Sequence, residues 1–125
     1  MQKEIKKSNS TKLSKLIVLG MQENKATDIV LLDLRKISNS VCDYFVICTG
    51  ESSTQIQGIS DSVSRVTRNE MNEKPWHVEG KNNSEWILLD YISVVVHVFY
   101  KDLRNLYDLE DLWSDAKRTD IPNLN

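Results

Sequence analysis

The stretch from Glu85 to Trp113 constrains the fold more than any other part of this sequence. Its first half, EWILLDYISVVVHVF, is largely apolar on both alternating strand faces, and Asp90 and His97 interrupt it. Strands that are apolar on both faces are typical of a sheet covered on both sides. The second half changes to a helical period and carries many acids. We therefore expect a strand pair with one apolar face to spare, joined to an acidic helix, and a surface that another molecule covers.

The other segments predict the rest of a single sheet and its helices. The predicted elements are a helix from Thr11, strands at Asp28–Leu34 and Tyr44–Thr49, a helix at Ser52–Met71, strands at Trp76–Glu79, Glu85–Tyr91 and Val94–Phe99, and a helix from Asp102. The inner face of the closing helix is predicted to consist of Leu103, Leu106, Tyr107 and Leu109, continued by Leu112 and Trp113. This order indicates an α/β domain around a mixed five-stranded sheet, with helices packed mainly on one face.

The length of 125 residues suits one domain. We expect residues 1–10 to be a flexible basic terminus, residues 11–115 to be the domain, and residues 116–125 to be a tail. The first fifteen residues hold five lysines and one acid. Such a segment is either a solvated tail, which general experience favours, or a contact with RNA.

Composition and spacing argue against several classes of site. A net charge of −2 does not favour a protein that binds nucleic acid through a basic surface. The two histidines, twenty residues apart, give no zinc signature. Cys42 and Cys48 have neither metal nor redox spacing and are expected to be buried thiols. No apolar run is long enough for a membrane span, and we expect a cytoplasmic protein with no metal and no cofactor.

Catalytic residues are not evident either. Gly50 to Thr54 joins a strand to a helix, where backbone amides can hold an anion, but Glu51 would repel a phosphate. Asp90 has no carboxylate beside it to help hold a pair of metal ions. We therefore expect no enzymatic activity. The alternative is a nucleotidyltransferase-like enzyme that binds a nucleotide near Gly50 to Thr54.

The tryptophans indicate an interaction surface. Trp76 and Trp86 lie on short predicted strands, near His77 and Asp90. Core packing is the ordinary role of tryptophan, but such neighbours favour an anchor in a protein interface. His97 is either a polar anchor on that surface or a hydrogen-bonded, half-buried histidine. The acidic closing helix favours a basic partner.

Five strings resemble one family, the ribosomal silencing factors, also called Iojap. They are CDYFVICTGESSTQIQGISDSV (Cys42–Val63), WHVEG (Trp76–Gly80), WILLDY (Trp86–Tyr91), VVVHVF (Val94–Phe99) and YDLEDLW (Tyr107–Trp113). The resemblance runs from about Lys15 to Asp115. It implies a nucleotidyltransferase-like fold without transferase activity.

The resemblance also implies a function and a set of contact residues. Family members resemble translation repressors that bind ribosomal protein fourteen of the large subunit and block joining of the small subunit. An assembly factor of the large subunit is the alternative. Ribosomal RNA would be at most a peripheral contact, and the free protein could form a homodimer. The implied partner-binding residues are Trp76, His77, Glu79, Gly80, Trp86, Asp90, Tyr91 and His97, with Trp76, Trp86, Asp90 and Tyr91 expected nearest the ribosomal protein.

One pair departs from the family pattern. Where the family usually has Gly-Asp after the Asp-Tyr pair, this chain has Ile92-Ser93. The turn must then either avoid a positive φ at Ile92 or place a β-branched residue under strain. The lost acid also removes one ion pair to a basic partner.

Overall fold

The computed structural model describes residues 2–83 and 85–124, with side chains from Asn9 onward, and contains four helices and six strands in the order α-β-β-α-β-β-β-α-α-β. The helices are α1 (Gln2–Glu23), α2 (Ser53–Met71), α3 (Lys101–Tyr107) and α4 (Leu109–Leu112). The strands are β1 (Thr27–Asp33), β2 (Tyr44–Gly50), β3 (His77–Glu79), β4 (Trp86–Asp90), β5 (Val94–Tyr100) and β6 (Lys117–Ile121). The predicted α/β class is confirmed.

All six strands form one mixed sheet in the order β3-β4-β5-β2-β1-β6. Strands β2 and β5 are parallel, and the other neighbouring pairs are antiparallel. The prediction of five strands was wrong, because β6 lies in the predicted tail and pairs with β1 from Asp33↔Lys117 to Ile29↔Ile121. Its sequence, KRTDI, lacks apolar alternation. Charged residues of this kind suit the edge of a sheet, where they discourage further pairing.

Helices α1 and α2 pack side by side on one side of the sheet, which we call the α1–α2 face. They approach closely at Gly20, where a Cβ atom would lie 2.7 Å from the Cα of Val63. The side chains buried here from both layers include Ile17, Met21, Ile56, Ile59, Val46, Cys48, Ile87, Leu89, Val96 and Val98. Helix α1 begins at Gln2 rather than at Thr11. Its first turns contain lysine, glutamine and glutamate, which favour helix without giving an apolar period.

Helix α2 has the predicted limits because both of its ends are capped. The Ser52 hydroxyl accepts a hydrogen bond from the Gln55 backbone N–H at 3.1 Å. At the other end Asn72 has φ of 54°, and its N–H donates to the Arg68 carbonyl at 2.9 Å. A serine that caps the first turn and a left-handed residue after the last turn are both common at helix ends. They fix the limits of one of the two helices that cover the α1–α2 face.

The opposite side, the α3–α4 face, is covered over only part of its width. Leu103, Leu109 and Trp113 pack there on Phe45 and Phe99. The strands β3 and β4 extend beyond these short helices, so His77 and Glu79 are exposed and Leu88 and Asp90 are half-buried. The structure thus identifies the less covered face, which the sequence left undetermined.

A buried ion pair fastens α3 and α4 to the sheet. Arg104 donates through Nη1 to the Thr49 hydroxyl at 2.7 Å and through Nη2 to Glu110 Oε2 at 3.0 Å. The Arg104 and Glu110 side chains are 8% and 13% exposed. Their charges neutralise each other, which is a condition for burying either.

The turn between β4 and β5 is made with a positive φ of 74° at Ile92. The Ser93 N–H donates to the Tyr91 carbonyl at 2.9 Å, a bond that spans three residues and defines a γ-turn. Of the two alternatives for this departure from the family pattern, the structure shows a β-branched residue under backbone strain.

Candidate functional site

The partly open sheet surface is formed by cross-strand neighbours of β3, β4 and β5. Asp90 pairs with His77 on one side and Val95 on the other, and Leu88 pairs with Glu79 and His97. Since paired residues point to the same face, these side chains line one strip of the α3–α4 face. We call His77, Glu79, Leu88, Asp90 and Val95 the open strip. Leu88 and Val95 supply its apolar surface, and the other three supply polar groups.

An aromatic cluster borders the open strip. Trp86 stacks on Phe99 with ring centroids 4.9 Å apart and meets Tyr107 of α3 at 4.6 Å. The Trp86 Nε1–H donates to His97 Nδ1 at 3.2 Å. Trp86 is half-buried and Tyr107 is 45% exposed. The cluster therefore exposes part of an aromatic surface, and His97 and Phe99 fix the orientation of the Trp86 ring.

His97 is the fixed support of this cluster. It is 5% exposed, and its ring meets Phe45 edge-on at 4.9 Å. Burial lowers the pKa of His97 to about 4, so the ring is neutral near pH 7. Because Nδ1 accepts the bond from Trp86, the hydrogen lies on Nε2, which has no partner among the described residues. His97 is thus a buried histidine that positions Trp86.

Trp76 is the most exposed large apolar side chain in the described part of the chain, at 78%. The backbone N–H of Trp76 donates to the Asp90 carbonyl at 2.7 Å, which places Trp76 beside the end of β4. Asp90 also accepts from the Ile92 N–H through Oδ1 at 2.8 Å. Asp90 therefore bonds to Trp76 through its carbonyl and to the γ-turn through its carboxylate, at the same corner of the sheet.

His77, Glu79 and Gly80 have local roles at the free edge. His77 Nε2 lies 2.7 Å from Glu79 Oε1, and both side chains are well exposed. Gly80 has φ of 88°, and a Cβ there would lie 1.9 Å from the Trp86 carbonyl oxygen. Only glycine fits this position, which lets the chain leave β3 tightly against β4.

Tyr91 does not lie on the surface. It is 5% exposed, and its hydroxyl lies 2.9 Å from Thr67 Oγ1 of α2. Burial raises the pKa of Tyr91. Adjacent residues in a strand point to opposite faces, so Asp90 and Tyr91 cannot both line one surface. That alternation was readable in the sequence.

Three exposed residues of the acidic segment were missed as surface candidates. Leu106 and Leu112 are each 72% exposed, and Tyr107 turns its outer edge to solvent. The prediction that Leu106 and Leu112 belong to the inner face was wrong. The prediction was right for Leu103, Leu109 and Trp113, which pack on the sheet, and in part for Tyr107, whose ring contacts Trp86 and Phe99. The helix breaks at Asp108, whose φ is 17°, and restarts as α4. Arg104 and Glu110 also turn inward, where they form the buried ion pair.

The described residues offer no catalytic arrangement at the strand–helix junction near Gly50. The Glu51 N–H donates to Gln55 Oε1 at 2.7 Å, and the Glu51 carboxylate pairs with Lys101 at 3.0 Å. No group of three or more metal-ligating side chains occurs within residues 9–83 and 85–124. Burial raises the pKa of Cys42 and of Cys48 to about 12, which keeps both thiols protonated.

Across the same described ranges, no helix has the length and apolar character needed to cross a membrane.

Comparison with known proteins places these features in a family. The sequence profile described as "Ribosomal silencing factor during starvation" matches residues 7–125. The chain is 39% identical over 114 residues to the Ribosomal silencing factor RsfS of Bacillus subtilis, covering 90% of this chain and 94% of that one. It is 30% identical over 101 residues to the mouse protein named Mitochondrial assembly of ribosomal large subunit protein 1, covering 79% of this chain and 43% of that one.

A solved structure agrees with these sequence matches. A crystal structure of a protein from Chromobacterium violaceum superposes with a TM-score of 0.78 at 32% identity, covering 83% of this chain and 85% of that one. The profile match spans nearly the whole chain and includes β6. This chain therefore belongs to the ribosomal silencing factor family.

Proposed function

We propose that this protein binds the large ribosomal subunit through ribosomal protein fourteen and blocks joining of the small subunit by occupying its place. The observation that carries the proposal is the open strip with its aromatic border, in a member of the silencing factor family. No enzymatic step is required. The site of action is the cytoplasm, where the subunits join.

The open strip and its neighbours have the composition of a protein-docking surface. Trp76, Trp86 and Tyr107 provide the aromatic anchors that dominate many interfaces. Leu88 and Val95 add half-buried apolar side chains on the open strip. His97 holds the Trp86 indole in one orientation, which reduces the entropy lost on binding.

Charge on α3 and α4 suits a basic partner. Glu110 is neutralised by Arg104, whereas Asp102, Asp108 and Asp111 face outward and form no ion pair among the described residues. Exposed charges of this kind raise the encounter rate more than the final affinity. Association with the large subunit is therefore expected to slow at high salt.

A subunit-joining assay tests the proposal directly. Purified protein is incubated with large subunits, small subunits are added, and the products are separated by sedimentation. Accumulation of free subunits in proportion to added protein is expected. Unimpeded joining at saturating protein would overturn the proposal.

Trp76→Ala should weaken large-subunit binding by about 2 kcal/mol, since exposed tryptophan anchors contribute on this scale. The domain should remain folded because the side chain is 78% exposed. Leu19→Ala is the matched control: Leu19 is 52% exposed, but it lies on α1 behind the sheet. Equal affinities for Trp76→Ala and the unmodified protein would remove Trp76 from the docking surface.

Assembly of the large subunit is a second candidate, favoured by the name of the mouse relative. Both functions use the same surface, so point variants do not distinguish them. The particles that co-sediment with the protein do: mature large subunits support the repressor, and precursors with incomplete protein content support the assembly factor. The open strip is also available to a second copy in the free protein, so dimerisation should compete with subunit binding.

A further inference from the structure

Ile92 occupies a backbone conformation that its side chain disfavours. Its φ of 74° lies in the left-handed region, where a β-branched residue is a genuine outlier. The other non-glycine residues in the left-handed region, within the described ranges, are Lys25, Asp28, Asn39 and Asn72. Asn and Asp tolerate this region because their short polar side chains bond locally. Ile92 is the β-branched member of the set.

Packing inside the protein does not explain why isoleucine stands there. The Ile92 side chain is 49% exposed and belongs to neither apolar core cluster. A glycine would form the same turn without strain. The strained side chain therefore contributes little to the stability of the free protein.

The surrounding contacts hold the turn in this conformation. Before it, Tyr91 is anchored by its hydroxyl at Thr67, and its N–H donates to the Val94 carbonyl at 2.9 Å. Asp90 Oδ1 accepts the Ile92 N–H itself. Strain that neighbouring structure maintains in this way is typical of functional positions.

The turn also brings Ile92 to the corner that carries Trp76. The Asp90 carbonyl accepts from the Trp76 N–H, and its carboxylate accepts from the Ile92 N–H. Two residues with exposed apolar side chains are therefore bonded through their backbone N–H groups to Asp90, whose carboxylate forms no ion pair with Lys or Arg among the described residues. A partner surface that complements this corner would have an apolar depression with a cationic side chain at its rim.

We propose that Ile92 is an affinity-determining contact of this chain, and that its side chain enters an apolar depression on the large-subunit protein beside Trp76, with a basic residue near Asp90. The inference rests on the proposed function, since it names a contact within that docking surface. The backbone strain of the free protein is the cost of presenting an apolar side chain at the tip of this turn.

Two measurements on the same variants separate strain from contact. In Ile92→Gly, relief of the strain should raise the thermal unfolding midpoint by about 3 °C, while affinity for purified large subunits falls at least tenfold. Asparagine also tolerates the left-handed region but does not add the flexibility of glycine, so Ile92→Asn should lose affinity to a similar extent. Ile92→Met, which keeps an apolar side chain, should stay within threefold of the unmodified affinity.

Lys25→Gly is the matched control, because Lys25 has φ of 59° at the end of α1 and lies away from the open strip. It should raise the unfolding midpoint and leave the affinity unchanged. The inference is overturned if the unmodified protein binds and Ile92→Gly and Ile92→Asn bind equally well. If the unmodified protein does not bind large subunits, the proposed function fails, and the inference fails with it.

Discussion

At the residue scale, His97 shows how a polar group can be useful in a site without touching a ligand. Its Nδ1 accepts the Trp86 indole N–H, and its ring lies among Phe45, Trp86 and Phe99. A leucine of similar size would fill the space but would leave the indole N–H without an acceptor at a partly buried position. The histidine therefore fixes the orientation of the side chain above it.

This histidine should make stability depend on pH. Its pKa is about 4 in the folded protein and 6.5 when exposed, so the unfolded chain binds a proton first as the pH falls. The contribution is fully present above pH 6.5 and is lost as the pH falls from there towards 4. Between pH 7 and pH 5 the loss should be about 2 kcal/mol.

Urea unfolding at both pH values checks this expectation. His97→Gln keeps an acceptor for Trp86 but cannot titrate, so its stability should fall by about 2 kcal/mol less than that of the unmodified protein. An identical pH dependence in both proteins would contradict the assignment.

Part of the site was predictable residue by residue. The predicted turn at Ile92-Ser93 sets the β4–β5 register, and that register puts Leu88 opposite His97 as observed. Trp76 lies on the surface, and its role as an anchor stays a prediction. The placement of Tyr91 was not foreseen, because the resemblance named Asp90 and Tyr91 together and strand alternation was not applied to them.

At the element scale, α3 and α4 depend on a charged pair more than on apolar burial. These helices have seven and four residues, too short to be stable alone. Arg104 reaches from α3 to Thr49 of β2 and to Glu110 of α4, and so joins three elements. The pair explains why two short helices stay in place along the aromatic cluster.

Breaking this pair from one side should be costly. Arg104→Ala leaves the Glu110 carboxylate buried without its partner, so a loss of about 3–5 kcal/mol is expected. The double variant Arg104→Met, Glu110→Leu removes both charges and should recover more than half of that loss. Denaturant unfolding of both variants measures the difference, and equal losses would mean that the pair acts only through packing.

The elements that the sequence predicted well are those with strong periodicity. Helix α2 has a regular apolar stripe and recognisable caps, and strands β4 and β5 are dense in branched apolar residues. Strand β6 and the break at Asp108 have no such signal. Strand β6 is defined by its pairing with β1. The helix break at Asp108 accompanies the inward orientation of Arg104 and Glu110.

At the scale of the whole molecule, the two edges of the sheet are protected in different ways. Strand β3 has three residues and offers little length for pairing. Strand β6 carries Lys117, Arg118 and Asp120, which disfavour addition of another strand. Between them, the central strands form the cores on both faces.

Removal of residues 116–125 should therefore cause aggregation. The deletion uncovers the edge of β1, which contains Ile29, Val30 and Leu31 and has no charge between them. Size-exclusion chromatography with light scattering should show large species and loss of the full-length peak. Deletion of residues 122–125 alone keeps β6 and should elute like the full chain; equal behaviour of the two deletions would show that β6 is dispensable.

The pairing of β1 with β6 also has a consequence for how the protein folds during its synthesis. Ile29 and Ile121 are partners although 92 positions separate them along the chain (121 − 29 = 92). Contacts between residues so far apart in sequence form late, because the entropy of closing a long loop is lost before the contacts stabilise the chain. During synthesis one edge of β1 therefore stays unpaired until Lys117–Ile121 have been made and have left the ribosome. The edge that β6 protects in the folded protein is thus open to other strands while the chain is still being made.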